Sequence, residues 1–223
     1  MISSAAMLLT NFCRLSVRPF LAMVALLLVL GCAERQQFEP LPLDAVVLAF
    51  GDSVTAGLGA GVGADYPTRL AEFTGLRVIN AGISGDTARE ARERLGPLLA
   101  QHSPDLVIVE LGGNDFLRKT PPARVRDYLG EIIREASGSG AMVALVAVPR
   151  LSLLRASVGA LSDSPIYAEL AAQEGALLIP DVFSDVLSDG DLRADEIHPN
   201  ALGYEQMAQG IQAALGQAGL VPN

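Results

Sequence analysis

The chain has 223 residues, half of them hydrophobic, with a mean hydropathy of +0.36 and a formal net charge of −9 at pH 7. This length supports one sizeable core and is short for two domains. The acidic balance and the lack of a Lys/Arg cluster exclude two modes of binding: recognition of nucleic acid and electrostatic adhesion to anionic lipid.

The N-terminus has the pattern of a bacterial lipoprotein signal. Arg14 and Arg18 precede an apolar run over residues 20–30, which is shorter than the ~20 residues of a transmembrane helix. Residues 29–32, Val-Leu-Gly-Cys, resemble the lipobox of bacterial lipoproteins, in which the cysteine becomes the lipidated first residue of the mature chain. We therefore predict cleavage before Cys32 and a lipid anchor on it. A short, uncleaved membrane anchor is the alternative.

Cleavage at this point divides the chain into a signal peptide (1–31), a tether (32–43) and a folded domain (44–223). The tether is largely polar and contains two prolines, which suits a spacer between membrane and domain. The lipobox resemblance associates Ala33, in place of an aspartate after the cysteine, with sorting to the outer membrane. We predict a protein that faces the periplasm and is held to that membrane by its lipid.

Apolar runs alternate with helical patterns through the folded domain. The apolar runs predict five strands, at 45–50, 76–80, 106–109, 142–148 and 176–179. Apolar spacing and capping residues predict helices ending near 74, over 87–102, 121–138 and 166–174, and from 200 onward. Residues 183–194 are interpreted as a polar loop that has room for one helical turn, and 149–164 as a long apolar segment. Strands that alternate with helices predict a single three-layer α/β/α domain, with a parallel sheet in the order 2-1-3-4-5.

The first strand ends in a candidate nucleophile. The buried run over 46–50 stops at Gly51-Asp52-Ser53, so Ser53 lies just past the carboxyl end of the strand. Ligands of open α/β sheets bind at that edge. A serine in a strand-to-helix loop can instead be a helix cap, and that alternative stays open here.

Two histidines are candidates for the base. His102 is expected at the end of a helix just before the third strand, which is the amino edge of the sheet, opposite Ser53. His198 lies between the last strand and the last helix, so it can reach the edge that carries Ser53. Asp195, three residues earlier, can accept the Nδ1 proton and leave Nε2 free to take a proton from Ser53. The alternative makes Asp195 a helix cap and His198 a surface residue.

Two further strand ends offer donors for a developing oxyanion. Gly85 follows the second strand, where a glycine lets a backbone N–H approach a ligand closely. Asn114 follows the third strand and can aim its side-chain amide at negative charge. A turn glycine and an Asx-turn asparagine are the ordinary alternatives.

Four blocks, in this order along the chain, resemble those of the SGNH/GDSL hydrolases, and most closely the small bacterial arylesterase, thioesterase and lysophospholipase branch. They are Gly-Asp-Ser (51–53), Asn-Ala-Gly-Ile-Ser-Gly-Asp-Thr (80–87), Glu-Leu-Gly-Gly-Asn-Asp (110–115) and Asp-Glu-Ile-His-Pro-Asn (195–200). The resemblance covers about residues 45–215 and implies a flavodoxin-like fold. It also implies the following roles: nucleophile Ser53, triad partners Asp195 and His198, and oxyanion donors at the Ser53 N–H, Gly85 and Asn114.

The same resemblance implies a serine esterase that cleaves small carboxylic esters or thioesters through an acyl-enzyme, without a cofactor. A carbohydrate or cell-wall O-acetyl esterase is the alternative within the fold, and the apolar residues over 151–161 favour acyl chains over sugars. The alternative of another class is a non-catalytic envelope-binding lipoprotein. No metal is expected, because Asp52, Asp86 and Asp115 are dispersed among loops and each can serve its own turn. We expect a monomer.

Overall fold

Five parallel strands form a sheet in the part of the chain that the computed structural model describes, residues 38–149 and 161–222. The strands are β1 (Val46–Gly51), β2 (Arg77–Gly82), β3 (Leu106–Glu110), β4 (Met142–Val146) and β5 (Leu177–Ile179). Their order is β2-β1-β3-β4-β5, which confirms the predicted topology. Only the strand ends differ: β2 runs on to Gly82, and β4 stops two residues short of the predicted end.

Eight α-helices connect and flank the described strands, and a 3₁₀ helix spans Gly190–Leu192. The α-helices are α1 (Ser53–Ala56), α2 (Tyr66–Thr74), α3 (Ala88–His102), α4 (Gly113–Leu117), α5 (Pro122–Gly138), α6 (Ile166–Glu174), α7 (Val182–Ser188) and α8 (Ala201–Gln217). α5 packs against both α3 and α6, while α2 and α7 pack against α8. These two groups are the outer layers of the predicted α/β/α sandwich.

The helix α7 replaces part of the loop that the sequence predicts over 183–194. Phe183, Val186 and Leu187 are all buried, and their spacing is that of one helical face. The exposed Asp185 and the polar Ser184 stand between them and conceal this short pattern in the sequence. The single helical turn that the sequence allows here is therefore a seven-residue helix in the structure.

Burial of the strands follows their position in the sheet. All five residues of β3, at the centre, are buried, as are the last five of β1. A parallel strand covered on both faces disfavours polar side chains, which explains the continuous apolar runs in the sequence, although Glu110 ends β3 as a buried polar residue. β2, at one edge, has no fully buried residue, and its sequence is correspondingly more polar.

The described chain begins at Phe38, within the predicted tether. Phe38 and Leu41 pack against the core, and the Leu41 N–H donates to Leu220 O at 2.9 Å, so this last part of the tether lies against the domain. The predicted signal peptide, Cys32 and most of the apolar segment after 149 lie outside the described residues. Among the helices of residues 38–149 and 161–222, none is long and apolar enough to cross a bilayer.

Candidate active site

The nucleophile candidate begins a single turn of helix at the end of β1. Asp52 caps α1, with its Oδ1 accepting the Val54 N–H at 3.0 Å. Asp52, and not Ser53, is therefore the helix cap, which answers the alternative left open by the sequence. The Ser53 hydroxyl contacts His198 instead.

The three predicted triad residues form a hydrogen-bonded chain. Ser53 Oγ lies 3.0 Å from His198 Nε2, and His198 Nδ1 lies 2.8 Å from Asp195 Oδ2. Ser53 and His198 are both 8% exposed. Asp195 Oδ1 also accepts the backbone N–H groups of Ile197 and His198, each at 2.9 Å, so a local turn fixes the carboxylate beneath the ring.

These contacts keep Asp195 ionised. Partial burial acts to raise the pKa of this carboxyl, but hydrogen bonds from the His198 ring and from the Ile197 N–H outweigh it, so the pKa is lowered. An ionised Asp195 accepts the hydrogen bond of the His198 Nδ1–H, which fixes the tautomer in which His198 Nε2 can accept a proton. The arrangement can therefore move a proton from the Ser53 hydroxyl to His198.

Asn114 lies in the first turn of α4, not in the loop that the sequence predicts. Its Nδ2 donates to Asp52 Oδ2 and to Asp86 O, each at 3.0 Å. These partners are 62 and 28 residues away along the chain, so the amide does not close an Asx turn of its own. Two neighbouring loops orient it instead, beside Ser53 in the same cleft.

Gly85 has a backbone conformation that favours glycine. Its φ is +90°, and a Cβ added there would meet no atom within 4 Å, so the backbone conformation and not the packing requires glycine. The Gly85 carbonyl accepts from Arg118 Nη2 at 2.9 Å, which holds this peptide from the α4 side. These facts agree with a turn glycine, and the role of its N–H as a donor stays a prediction.

The cleft is lined by both polar and apolar side chains. Its lining combines the polar residues Ser53, His198 and Asn114 with the apolar residues Leu117, Phe183 and Ile197. Leu117 is 41% exposed, which places apolar surface at the mouth. A hydrocarbon group beside the Ser53 hydroxyl would therefore find an apolar surface to contact.

Two carboxyl groups beside Ser53, those of Asp52 and Glu110, are buried, which the sequence reasoning did not predict. Glu110, the last residue of β3, is 1% exposed and accepts from Thr55 Oγ1 at 3.2 Å. Burial, and then the charge of Asp52, raise the pKa of Glu110 well above its usual value, which favours the neutral acid. Burial likewise raises the pKa of Asp52 to about 6, opposed by hydrogen bonds from the Val54 N–H and Asn114 and by the charge of His198. The sequence does contain a signal for the burial of Glu110, because this charged residue directly continues the apolar run of β3.

The expectation that each aspartate serves its own turn is wrong for two of the three. Asp115 Oδ2 accepts the Ala88 N–H at 2.8 Å and so caps α3 from 27 residues away. The Asp86 carboxylate pairs with Arg94 on α3. Among residues 38–149 and 161–222, no group of three or more His, Cys, Asp and Glu side chains could hold a metal ion.

The second histidine lies far from this cleft. His102 is the last residue of α3, and the chain turns at Ser103 into β3. It therefore lies at the amino edge of the parallel sheet, whereas Ser53 lies at the carboxyl edge. The expected separation of the two histidines is confirmed.

Comparison with known proteins agrees with this geometry. Residues 49–206 match the GDSL-like Lipase/Acylhydrolase family. Esterase TesA of Pseudomonas aeruginosa is 33% identical over 198 residues, which cover 85% of this chain and 96% of that protein. Thioesterase 1/protease 1/lysophospholipase L1 of Escherichia coli K12 is 35% identical over 160 residues, which cover 69% of this chain and 75% of that protein.

Solved structures give the same result. A crystal structure of TesA superposes with a TM-score of 0.69 at 30% identity and covers 78% of this chain and 99% of that one. The chain belongs to the GDSL-like lipase/acylhydrolase family, which is the SGNH/GDSL group that its four blocks resemble. It is a serine hydrolase that acts on ester bonds.

Proposed function

We propose that this enzyme hydrolyses carboxylic esters and thioesters of modest acyl length through an acyl-enzyme on Ser53. The observation that carries the proposal is the chain of contacts from Ser53 Oγ to His198 and Asp195, at 3.0 and 2.8 Å, in a cleft with apolar walls. The relatives named above act on esters or thioesters, which supports the same two substrate classes here.

Acylation begins when Ser53 Oγ attacks the substrate carbonyl while His198 Nε2 takes its proton. The ionised Asp195 stabilises the imidazolium that results. Collapse of the tetrahedral intermediate breaks the bond to the alcohol or thiol, which leaves with the proton from His198. Water, activated by the same histidine, then attacks the acyl-enzyme and releases the acid.

The negative charge of each tetrahedral intermediate needs donors that are already in place. We assign this role to the Ser53 N–H, the Gly85 N–H and the Asn114 amide. The bond from Asn114 to Asp52 fixes the plane of the amide. Its second N–H donates to Asp86 O in the structure, and we assign it to the oxyanion, for which it exchanges that acceptor when substrate is bound. No cofactor takes part in this scheme.

A substrate panel tests the proposal. The wild-type enzyme should hydrolyse p-nitrophenyl butyrate and short acyl-CoAs, and Ser53→Ala should abolish both activities and labelling by a fluorophosphonate. Acetylated sugars should react far more slowly, because the apolar residues Leu117, Phe183 and Ile197 suit an acyl chain better than hydroxyl groups. Equal rates for wild type and Ser53→Ala would refute the mechanism, and a preference for acetylated sugars would favour a carbohydrate esterase.

We also propose that Cys32 carries a lipid and holds the enzyme at the outer membrane, facing the periplasm. The short apolar run that ends in Gly31-Cys32, followed by a largely polar stretch, supports this proposal.

The triad residues come from one chain, so the chemistry needs no second copy, and we propose a monomer.

Metabolic labelling tests the anchor. Labelled palmitate should enter the wild-type protein, which should fractionate with outer membranes, and should not enter Cys32→Ser. Cys13→Ser is the matched control and should be labelled like the wild type, because Cys13 lies in the segment that cleavage removes. Equal labelling of Cys32→Ser and wild type, or a mature protein that retains its first residues, would contradict the proposal.

A further inference from the structure

Arg94 on α3 has no part in the proposed chemistry, yet each of the three nitrogens of its guanidinium group donates a hydrogen bond at the edge of the sheet that carries Ser53. Its Nε donates to Asp86 Oδ2 at 2.7 Å, its Nη1 to Ala81 O at 2.9 Å and its Nη2 to Gly51 O at 2.9 Å. Its Cζ lies 4.4 Å from the centre of the Phe50 ring. The side chain is only 20% exposed, so water screens these contacts weakly.

These partners belong to the segments that carry the proposed catalytic groups. Gly51 ends β1 and is followed by Asp52 and the nucleophile. Ala81 is the penultimate residue of β2, and the loop that contains Gly85 begins after Gly82. Asp86 follows Gly85 directly, and its carbonyl accepts from the Asn114 amide. One guanidinium group therefore fixes the spacing of these three segments.

We infer that Arg94 is a positioning residue for the oxyanion hole. By holding Asp86 against the ends of β1 and β2, it sets the directions of the Gly85 N–H and the Asn114 amide relative to Ser53. This inference rests on the proposed function of the site. Oxyanion donors act because they are aimed before charge develops, and a displacement of about 1 Å can cost about 10²-fold in rate.

An arginine suits this position for a geometric reason. The guanidinium group is a rigid, planar fork whose donors point in separate directions, whereas the donors of lysine leave a single nitrogen. Three acceptors on three different segments need three donors that are spaced apart. A lysine here would keep the charge beside Asp86 but could not reach both backbone carbonyls in the same way.

The same helix offers a matched control. Arg92, two residues earlier, pairs with Glu131 on α5 and lies 5.7 Å from the centre of the Tyr128 ring. It thus has the same two kinds of partner as Arg94, a carboxylate and an aromatic ring. Its partners, however, lie on a neighbouring helix and not at the sheet edge. Arg92→Met therefore measures how much kcat and KM change when α3 loses an arginine that ties it to a neighbouring element but not to the sheet edge.

The experiment compares Arg94→Met, Arg94→Lys and Arg92→Met with the wild type, using p-nitrophenyl butyrate as substrate. Butaneboronic acid serves as the probe of the oxyanion hole. Its boron forms a bond to Ser53 Oγ, whose proton passes to His198, and the product is a tetrahedral anion like the one formed in the reaction. We expect Arg94→Met to lower kcat per folded molecule by about 10- to 100-fold and to leave KM nearly unchanged. In Arg94→Met the boronate affinity should fall by the same factor as kcat/KM. Arg94→Lys should show a smaller loss of kcat and of boronate affinity, and Arg92→Met should have the wild-type values.

Other outcomes overturn the inference. Arg94 would have a merely structural or binding role if folded Arg94→Met kept the wild-type kcat, or if it had a raised KM with normal kcat. The same conclusion would follow if Arg92→Met lost as much kcat as Arg94→Met. If Arg94→Met does not fold, Arg94→Lys decides by the same readouts. An inactive wild type, or an active Ser53→Ala, would instead refute the proposed function, so the two failures are distinguishable.

Discussion

His198→Ala is expected to lower kcat by on the order of 10⁴-fold or more, because it removes the base of the proposed mechanism, whose Nε2 lies 3.0 Å from Ser53 Oγ. The loop itself should survive. Asp195 Oδ1 accepts the backbone N–H of residue 198, which alanine retains, as well as that of Ile197. Steady-state kinetics on p-nitrophenyl butyrate, with circular dichroism to establish folding, is the measurement.

His102→Ala is the matched control, since it removes the other histidine of the chain from the opposite edge of the sheet. Its kcat should equal that of the wild type. An essential His102 together with a dispensable His198 would mean that the contact between Ser53 and His198 has no catalytic role. The mechanism would then need a different base.

Asn114→Ala should reduce kcat by roughly 10²–10³, or ~2.7–4 kcal/mol, with little change in KM. The proposed interaction is weak with a neutral carbonyl and strong once the oxygen carries charge, so its loss raises the barrier without weakening substrate binding. The substitution also removes a donor from the buried Asp52 carboxylate, which should lower the free energy of unfolding by about 1–3 kcal/mol. Thermal melts and kinetics must therefore be measured on the same samples.

Asn80→Ala separates the two effects. The Asn80 amide also bridges two segments, because it donates to Thr55 O at 2.8 Å and to Asp65 Oδ1 at 3.1 Å. It does not line the cleft, so its loss should lower the melting temperature and leave kcat per folded molecule close to that of the wild type. A folded Asn114→Ala enzyme with wild-type kcat would remove Asn114 from the oxyanion hole.

The sequence determined the fold because its signals are local. Buried runs such as 106–109 and capping residues such as Thr87 depend on their near neighbours, and the alternation of strands and helices then restricts the topology to very few choices. The contact between Asp195 and His198 is local too, since three residues separate them. Ser53 could be set beside them because the carboxyl ends of parallel strands meet at one edge.

Only the tertiary structure decided how the loops at that edge hold one another. Asn114 reaches Asp52 across 62 residues, Arg94 reaches Gly51 across 43, and Asp115 caps α3 across 27. Such bonds depend on the packing of whole elements, and no short window of sequence contains both partners. The same reason applies to Glu110, whose sequence neighbours do not reveal that its carboxyl is buried beside Thr55. Local pattern thus fixes the reacting side chains, and long-range packing fixes the groups that orient them.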